Sequence, residues 1–118
     1  MRELKFRFYS KKKNRMVTWE DVKNQKFVTV GSLEDNNESD KYSPWMQYTG
    51  LKDVNGVEIY ESDLVEHEME VNGVWEKYEA CEVVYNEEYA MFCFKNDAPN
   101  NLADYRNLKV IGNVYEDK

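Results

Sequence analysis

Alternating apolar and charged side chains near the start of the chain predict a β-strand at residues 4–9. Leu4, Phe6 and Phe8 alternate with Lys5 and Arg7. A period of two is typical of a strand with one buried face. We therefore expect the three apolar side chains to face inward.

Polar segments separate the next predicted elements. After a basic turn at residues 10–15, two short strands are predicted at residues 16–19 and 27–30. The segment 31–43 is polar and acidic, with Leu33 as its single apolar aliphatic residue. This composition predicts a loop or linker.

Two Asn-Gly dipeptides predict tight hairpins in the second half of the chain. Asn55-Gly56 and Asn72-Gly73 each lie between two valines. Both residue types tolerate positive φ, which a two-residue type I′ turn requires at both positions. We therefore expect two hairpins with two-residue loops.

The second Asn-Gly pair also predicts a strand register. If Asn72 and Gly73 form the loop, Val71 faces Val74, Glu68 faces Lys77 and His67 faces Tyr78. On the first strand of this hairpin, Val65, His67, Met69 and Val71 share one face, and Glu66, Glu68 and Glu70 share the other. One face is then buried and the other solvated.

A third hairpin and a closing strand complete the pattern. A three-residue turn at residues 86–88 would place Cys81 opposite Cys93. Residues 102–106 are predicted to form one helical turn. A last strand at residues 108–115 contains Gly112, which predicts a bulge or a close backbone approach.

These elements predict a mainly β protein, with α+β as the alternative. Five or six short strands joined by tight turns after residue 51 are typical of a small antiparallel barrel or sandwich. A length of 118 residues is typical of one domain with a core of its own. Aromatic residues make up 14% of the chain, which is too many for a disordered protein.

Charge is distributed unevenly along the chain, whose net charge is −7. Residues 1–23 hold eight Lys or Arg against three acids, a net of +5, and residues 58–88 hold eleven acids against Lys77, a net of −10. The basic segment could contact phosphates, or it could pair with the acidic body within or between protomers. We favour the second, because an acidic body repels nucleic acid.

The candidate chemical groups are few. His67 is the single histidine, and because it shares a face with Val65 and Met69 we interpret it as a core or rim residue. We interpret Cys81 and Cys93 as small apolar side chains, with a disulfide or redox pair as the alternative.

The acidic residues of the second half of the chain suggest two further hypotheses. Glu66, Glu68 and Glu70, with Glu79 expected across the ladder, could bind a divalent cation, although a row on a strand favours a solvated face. Acids at residues 58–63 could form a catalytic pair, but no cleft is indicated and turn capping is simpler. We therefore expect no enzyme, no metal and no cofactor.

Location is predicted from the apolar runs and the cysteine content. The first residues are charged, and no run approaches the roughly 20 apolar residues that span a bilayer. Two cysteines are not a disulfide framework. We expect a cytoplasmic protein without membrane contact.

Three sequence blocks resemble one family. The central block at residues 46–65 reads MQYTGLKDVNGVEIYESDLV, Arg2 to Arg7 begins the chain with R-E-x-K-F-R, and Val110 to Glu116 contains V-I-G-N-hydrophobic-Y-E. Together they resemble the YopX family, small proteins encoded by bacteriophages and prophages. The chain departs from the family pattern at Ser62, where Gly is usual, so a positive φ there would strain the serine.

The resemblance implies an architecture but no mechanism. It implies an N-terminal β-containing region, here residues 1–45, and a C-terminal SH3-like barrel, here residues 46–118. It also implies a homo-oligomer in the cytoplasm of a bacterial host. It brings no catalytic residues.

Three functional hypotheses follow. The first is a non-enzymatic, self-assembling module that binds a host or phage protein, using aromatic residues expected to be exposed (Trp45, Tyr48 and Tyr60). The second is an inhibitor of a host nucleic-acid enzyme or defence complex, whose acidic face at residues 58–88, including Glu66, Glu68 and Glu70, mimics phosphates. The third is weak nucleic-acid binding through the basic N-terminal residues Arg2, Lys5, Arg7, Lys11, Lys12, Lys13 and Arg15, which we regard as the least favoured of the three.

Overall fold

The structure, a computed structural model, describes residues 4–11, 13–23, 42–95 and 100–116. The chain is mainly β, which confirms the predicted fold class. The strands are β1 (Phe6–Ser10), β2 (Arg15–Val17), β3 (Met46–Lys52), β4 (Glu58–Tyr60), β5 (Asp63–Val71), β6 (Val74–Asn86), β7 (Met91–Phe94) and β8 (Arg106–Asn113). One short α-helix, α1 (Trp19–Lys23), and one 3₁₀ turn (Leu102–Asp104) accompany them.

The first sheet has the order β2-β1-β3-β4 and is antiparallel. Phe8 of β1 is buried as expected, whereas Leu4 precedes the strand and is 61% exposed. The inward orientation predicted for Leu4 is therefore wrong. The apolar side chains of this alternating segment are buried only where β1 pairs with β2 and β3.

Trp19 begins α1, so the strand predicted at residues 16–19 is shorter than expected. The Thr18 hydroxyl accepts a hydrogen bond from the Asp21 backbone N–H, and the Asp21 carboxylate accepts one from the Thr18 N–H. This reciprocal arrangement is a capping box, which starts a helix. The local capping chemistry therefore outweighs the strand propensity of Trp19.

The second sheet has the order β7-β6-β5-β8 and contains the main apolar core. Its register confirms three predicted pairs: Val71 with Val74, Glu68 with Lys77, and His67 with Tyr78. Asn72 and Gly73 both have positive φ, at 53° and 82°, as a type I′ turn requires.

The first Asn-Gly pair forms a different turn from the one predicted. Lys52 pairs with Glu58, and only Gly56 of the dipeptide has positive φ. The Asp53 carboxylate accepts hydrogen bonds from the N–H groups of Asn55 and Val57, at 2.8 and 2.9 Å. The carboxylate therefore stabilises a longer loop in place of a two-residue turn.

The predicted pairing of Cys81 with Cys93 is wrong. Cys93 lies opposite Val84, and Cys81 lies opposite Val65 on β5. The turn occupies residues 87–90, with Ala90 at positive φ, because Asn86 still belongs to β6 and its side-chain oxygen accepts from Tyr89 N–H. Both cysteines are free thiols.

The C-terminal elements occur as predicted but with shifted bounds, since the helical turn ends at Asp104 instead of residue 106 and β8 spans Arg106–Asn113 instead of residues 108–115. Leu102–Asp104 forms the helical turn, and the register of β5 with β8 shifts between Gly112 and Val110, which is the expected bulge. Among the described residues, no helix is long and apolar enough to cross a membrane.

Several predictions lie outside the described residues. They are the strand at residues 27–30, the loop 31–43 up to residue 41, and the side chains of Arg2 and Lys12. The division at residues 45 and 46 stays a prediction. In the structure β3, which begins at Met46, pairs with β1.

Candidate protein-binding edge

Strands β5 and β6 continue beyond their neighbours as a two-stranded ribbon. The last described pair between β5 and β8 joins Glu68 to Arg106, and β7 pairs with β6 only at residues 83–86. We call residues 69–80 the hairpin arm. Two-stranded ribbons are only marginally stable in water, so a partner would stabilise the arm.

The outer edge of β6 at residues 74–81 is uncovered within the described part of the chain. No described strand pairs with this edge on the side away from β5. The opposite edge of the same sheet is covered, because Val54 N–H donates to Leu108 O and the Asp53 carboxylate accepts from Val110 N–H. An uncovered edge is a template for pairing with another strand.

Large side chains are exposed along this edge. Val74 is 61% exposed, Trp75 38% and Tyr78 37%. The Arg106 guanidinium lies 4.0 Å from the centroid of the Trp75 ring, which holds that ring over the end of β8. The arm therefore offers both backbone hydrogen-bonding groups and apolar contact area.

His67 anchors the root of the arm and is buried, as the sequence indicated. Its ring stacks on Phe94 at 3.9 Å and on Tyr78 at 5.6 Å between centroids, and Tyr105 meets it edge-on. Its Nδ1 lies 3.0 Å from the Val65 carbonyl oxygen. Because aromatic rings enclose it, the His67 side chain serves as a packing residue of the core.

The acidic row on β5 is interleaved with basic side chains from both neighbouring strands. Glu66 lies opposite Lys109, and Glu68 is bonded to Arg106 at 3.0 Å. A hydrogen bond from the Asn107 side chain, together with Arg106, lowers the pKa of Glu68. Glu70 lies opposite Trp75. The face therefore carries mixed charge.

The aromatic residues proposed as exposed are placed differently. Tyr48 and Tyr60 are buried, at 4% and 6% exposure, so the expectation of exposure is wrong for both. They pack with Met46 in a second apolar cluster because β3 and β4 pair there. Trp45 is half-buried against Phe6 and Phe8.

Three of the N-terminal cations form ion pairs within the fold, and one of them is Arg15, which lies 3.7 Å from the Asp21 carboxylate. Lys5 pairs with Glu58 at 2.5 Å, and Arg7 forms an ion pair with the buried Asp63. The Arg7 guanidinium carbon lies 4.2 Å from the centroid of the Tyr60 ring. Burial, and then the charge of Glu58, raise the pKa of Tyr60 to about 12. The phenol is therefore neutral at physiological pH.

A groove of about 680 Å³ runs beside these pairs and is lined by residues of β1, α1 and β4. Its basic side chains have acidic neighbours, since Lys23 pairs with Glu20 at 3.0 Å in addition to the two pairs above. Within the described residues, no group of three His, Cys, Asp or Glu side chains could hold a metal ion. The groove therefore offers no concentrated charge for an anion.

The residues at the β6 edge were not predicted as a site. The available signal was the run from Val74 to Ala80, which lacks the inward apolar series that β5 has. That run indicates a strand with two solvated faces, but not that the strand edge is uncovered.

Comparison with known proteins assigns the chain to a family. No curated protein matches the chain. The family model described as YopX protein matches residues 5–118. The match covers nearly the whole chain, including part of the N-terminal block and all of the central and C-terminal blocks, so the chain belongs to the YopX family.

Proposed function

We propose that this chain is a non-enzymatic, self-assembling protein-binding module of bacteriophages and prophages, acting in the cytoplasm of the bacterial host. Its binding element is the hairpin arm, which accepts a strand from another chain at the β6 edge. Addition of a strand to an exposed sheet edge is a recurrent mode of protein recognition.

The observation that carries this proposal is the uncovered edge at residues 74–81 together with its exposed side chains. Main-chain groups along such an edge supply affinity, and pockets for alternate side chains supply specificity. Val74 and Trp75 are large and exposed at the tip of the arm. Aromatic side chains of this kind are common anchors in protein interfaces.

The other two hypotheses receive less support from the geometry. A phosphate-mimicking face needs uncompensated acids, but Glu68 is paired with Arg106 and Glu66 lies opposite Lys109. A nucleic-acid surface needs available cations, but Lys5 and Arg7 are paired with Glu58 and Asp63. These pairs connect the basic head to the acidic body, as the charge distribution suggested.

The proposal is tested by removing the apolar tip of the arm. The double variant Val74→Ser/Trp75→Ser should lose specific capture of partners from phage-infected lysate and should self-associate about tenfold more weakly, since each lost anchor costs about 1 kcal/mol or more. Light scattering and affinity capture with mass spectrometry measure both effects. The matched control Ile111→Ser changes an exposed apolar residue of β8 in the same sheet.

If the arm variant and the control behave as wild type in both assays, the arm is not the binding element. A reversal of Glu66, Glu68 and Glu70 to Lys then separates the alternatives. Loss of capture in that variant would favour the acidic-face inhibitor.

A further inference from the structure

We infer that the strand received at the β6 edge carries a lysine or arginine between two apolar side chains, in the pattern apolar-x-basic-x-apolar, and that its basic side chain pairs with Glu76. This inference rests on the proposed function and adds the chemistry of the partner. The partner that fits is an extended segment of a different protein, and the argument for it is charge complementarity.

The regular part of the β6 edge covers residues 74–78. These residues pair in unbroken register with β5, whereas between Tyr78 and Cys81 β6 holds one residue more than β5 does. The extra residue forms a bulge, which interrupts the ladder. A strand received at residues 74–78 does not depend on the backbone beyond Tyr78.

Two residues of this regular part direct their backbone groups away from β5. Val74 forms the hydrogen-bonded pair that closes the hairpin turn with Val71. Because hydrogen-bonded and non-hydrogen-bonded pairs alternate in an antiparallel ladder, the N–H and C=O groups of Trp75 and Lys77 point to the uncovered side. An antiparallel strand that bonds to these groups places one residue opposite Glu76 in a non-hydrogen-bonded pair, where side chains lie closer together.

Glu76 is an isolated charge on an apolar face of the arm. It shares this face with Val74 and Tyr78, which are 61% and 37% exposed, and it lies opposite Met69 of β5. The Glu76 carboxylate accepts a hydrogen bond from the Tyr78 hydroxyl at 3.4 Å, but it forms no ion pair with any residue that the structure describes. The carboxylate is therefore available to a cation from another chain, between two apolar contact surfaces.

The other face of the arm has balanced charges. Lys77 lies opposite Glu68, which is bonded to Arg106, and Glu70 lies opposite Trp75. These residues contribute two cations and two acids to the same face. The charge that the incoming strand must carry is therefore selected by Glu76.

The chain itself holds no segment with the required pattern. None of its 16 lysines and arginines has an apolar or aromatic side chain at both positions two residues away. A second copy that paired at this edge would leave Glu76 without a cation. A different protein therefore fits the edge better than the chain itself does.

Matched peptides test this pairing. The probe is the acetylated and amidated peptide GTVTRTVTG, and the controls are GTVTETVTG, which reverses the charge, and GTTVRVTTG, which moves both valines to the other face. The probe should shift the backbone amide resonances of Trp75 and Lys77 and bind about fivefold more tightly than either control, because opposite charges stabilise a cross-strand pair and like charges destabilise it. NMR titration measures binding at physiological ionic strength, where charges more than about 8 Å apart are largely screened.

Charge reversal on the protein completes the test. Glu76→Lys should weaken binding of GTVTRTVTG about fivefold and strengthen binding of GTVTETVTG by a similar factor, because the charges are exchanged across one pair. The control Glu70→Lys reverses an exposed acid on the other face and should change neither affinity by more than about twofold. The amide spectrum of each variant checks that it is folded.

Three outcomes would overturn the inference while residues Trp75 and Lys77 still respond to peptide. They are equal binding of the arginine and glutamate peptides, equal binding of the peptide with displaced valines, and unchanged binding of GTVTRTVTG to Glu76→Lys. In each case the edge accepts a strand, so the proposed function stands and the partner chemistry does not. If no peptide shifts these two amides, strand addition itself is contradicted, and the proposed function fails with it.

Discussion

At the scale of single residues, the positions with positive φ are occupied by residue types that tolerate this backbone conformation to different degrees. Asn72 and Asn107 have positive φ, which asparagine adopts more readily than most residues. Ser62 has a φ of 72° at the position where the family usually has Gly. The backbone conformation at position 62 therefore favours glycine over the serine that this chain has there.

Ser62→Gly should raise the free energy of unfolding by up to about 1 kcal/mol, because glycine removes the steric cost of the left-handed conformation. Urea unfolding followed by fluorescence measures the change. Ser62→Ala keeps the steric cost and serves as the control. An equal gain in both variants would attribute the effect to the hydroxyl and not to φ.

Asp53 is a buried carboxylate that accepts three backbone hydrogen bonds. Burial raises its pKa, but the bonds from Val110, Val57 and Asn55 outweigh burial and lower the pKa below its ordinary value of 3.8. A lowered pKa in the folded state stabilises the protein at pH values above the pKa of the same group in the unfolded state. This contribution is lost as the pH falls through the folded pKa.

Asp53→Asn should cost roughly 1–3 kcal/mol at neutral pH, because one of the three N–H groups meets an amide donor in place of an oxygen. The difference from wild type should narrow as the pH falls below 3.8, because the native carboxylate becomes protonated when the pH passes its lowered pKa. Urea unfolding at neutral pH and along an acid series measures this difference. The exposed Asp104→Asn should show neither effect, and a constant difference across pH would contradict the assignment.

At the scale of elements, the hairpin arm differs from the rest of its sheet. Near its root β5 has a strand on both sides, but from Met69 to Val71 only β6 is paired with it among the described strands. Segments with few buried contacts open locally at low free energy. The arm is therefore the part of the sheet that partner binding would order most.

Backbone amides of residues 69–79 should exchange with solvent faster than those of residues 64–67, which lie between β6 and β8. Gly73→Ala should speed exchange in the arm about fivefold to tenfold, because alanine strains the positive φ by about 1 kcal/mol or more. Hydrogen exchange with mass spectrometry measures both effects.

Gly50→Ala is the matched control for this variant. Gly50 has a φ of 89°, and an added Cβ at either glycine meets no atom within 4 Å. The backbone strain is thus comparable, but it falls outside the arm. Equal protection of the arm and the sheet centre in the monomer would contradict the marginal stability of the arm.

At the scale of the whole molecule, a buried polar cluster joins the two sheets. The Asp63 carboxylate on β5 accepts from the Arg7 guanidinium of β1, from Asn113 Nδ2 of β8 at 3.2 Å and from Tyr60 N–H at 2.8 Å. Arg7, Asp63 and Asn113 lie in the three sequence blocks that carry the family resemblance, and the fold brings one residue of each block into this cluster.

Arg7→Met should destabilise the protein by about 3–5 kcal/mol, because it leaves the buried Asp63 carboxylate without its cation. The double variant Arg7→Met/Asp63→Asn should recover part of this loss, since the unpaired charge is removed as well. A double-mutant cycle in urea measures the coupling.

Lys23→Ala breaks the exposed pair with Glu20 and should change the stability by less than about 0.5 kcal/mol. It is the control for the loss of a cation at an exposed position. Additive effects of Arg7→Met and Asp63→Asn would show that the buried pair does not couple the two sheets.

The sequence by itself determined the features that depend on neighbouring residues. Asn72 and Gly73 predicted their turn and the register that follows from it, and Gly112 predicted the bulge. The alternation on β5 predicted that His67 is buried. These features follow from backbone sterics and side-chain period, which act over a few residues.

The tertiary structure decided what depends on distant segments. Tyr48 and Tyr60 are buried because the two strands that carry them pair with each other. Asp63 forms an ion pair with Arg7, which lies 56 residues earlier in the chain. Cys81 and Cys93 are separated because a turn is one residue longer and begins later than its sequence suggested. The β6 edge is a candidate site only because β7 and β8 end before the arm does. Where neighbouring strands end is set by packing of the whole sheet, and a local pattern of residues carries no information about it.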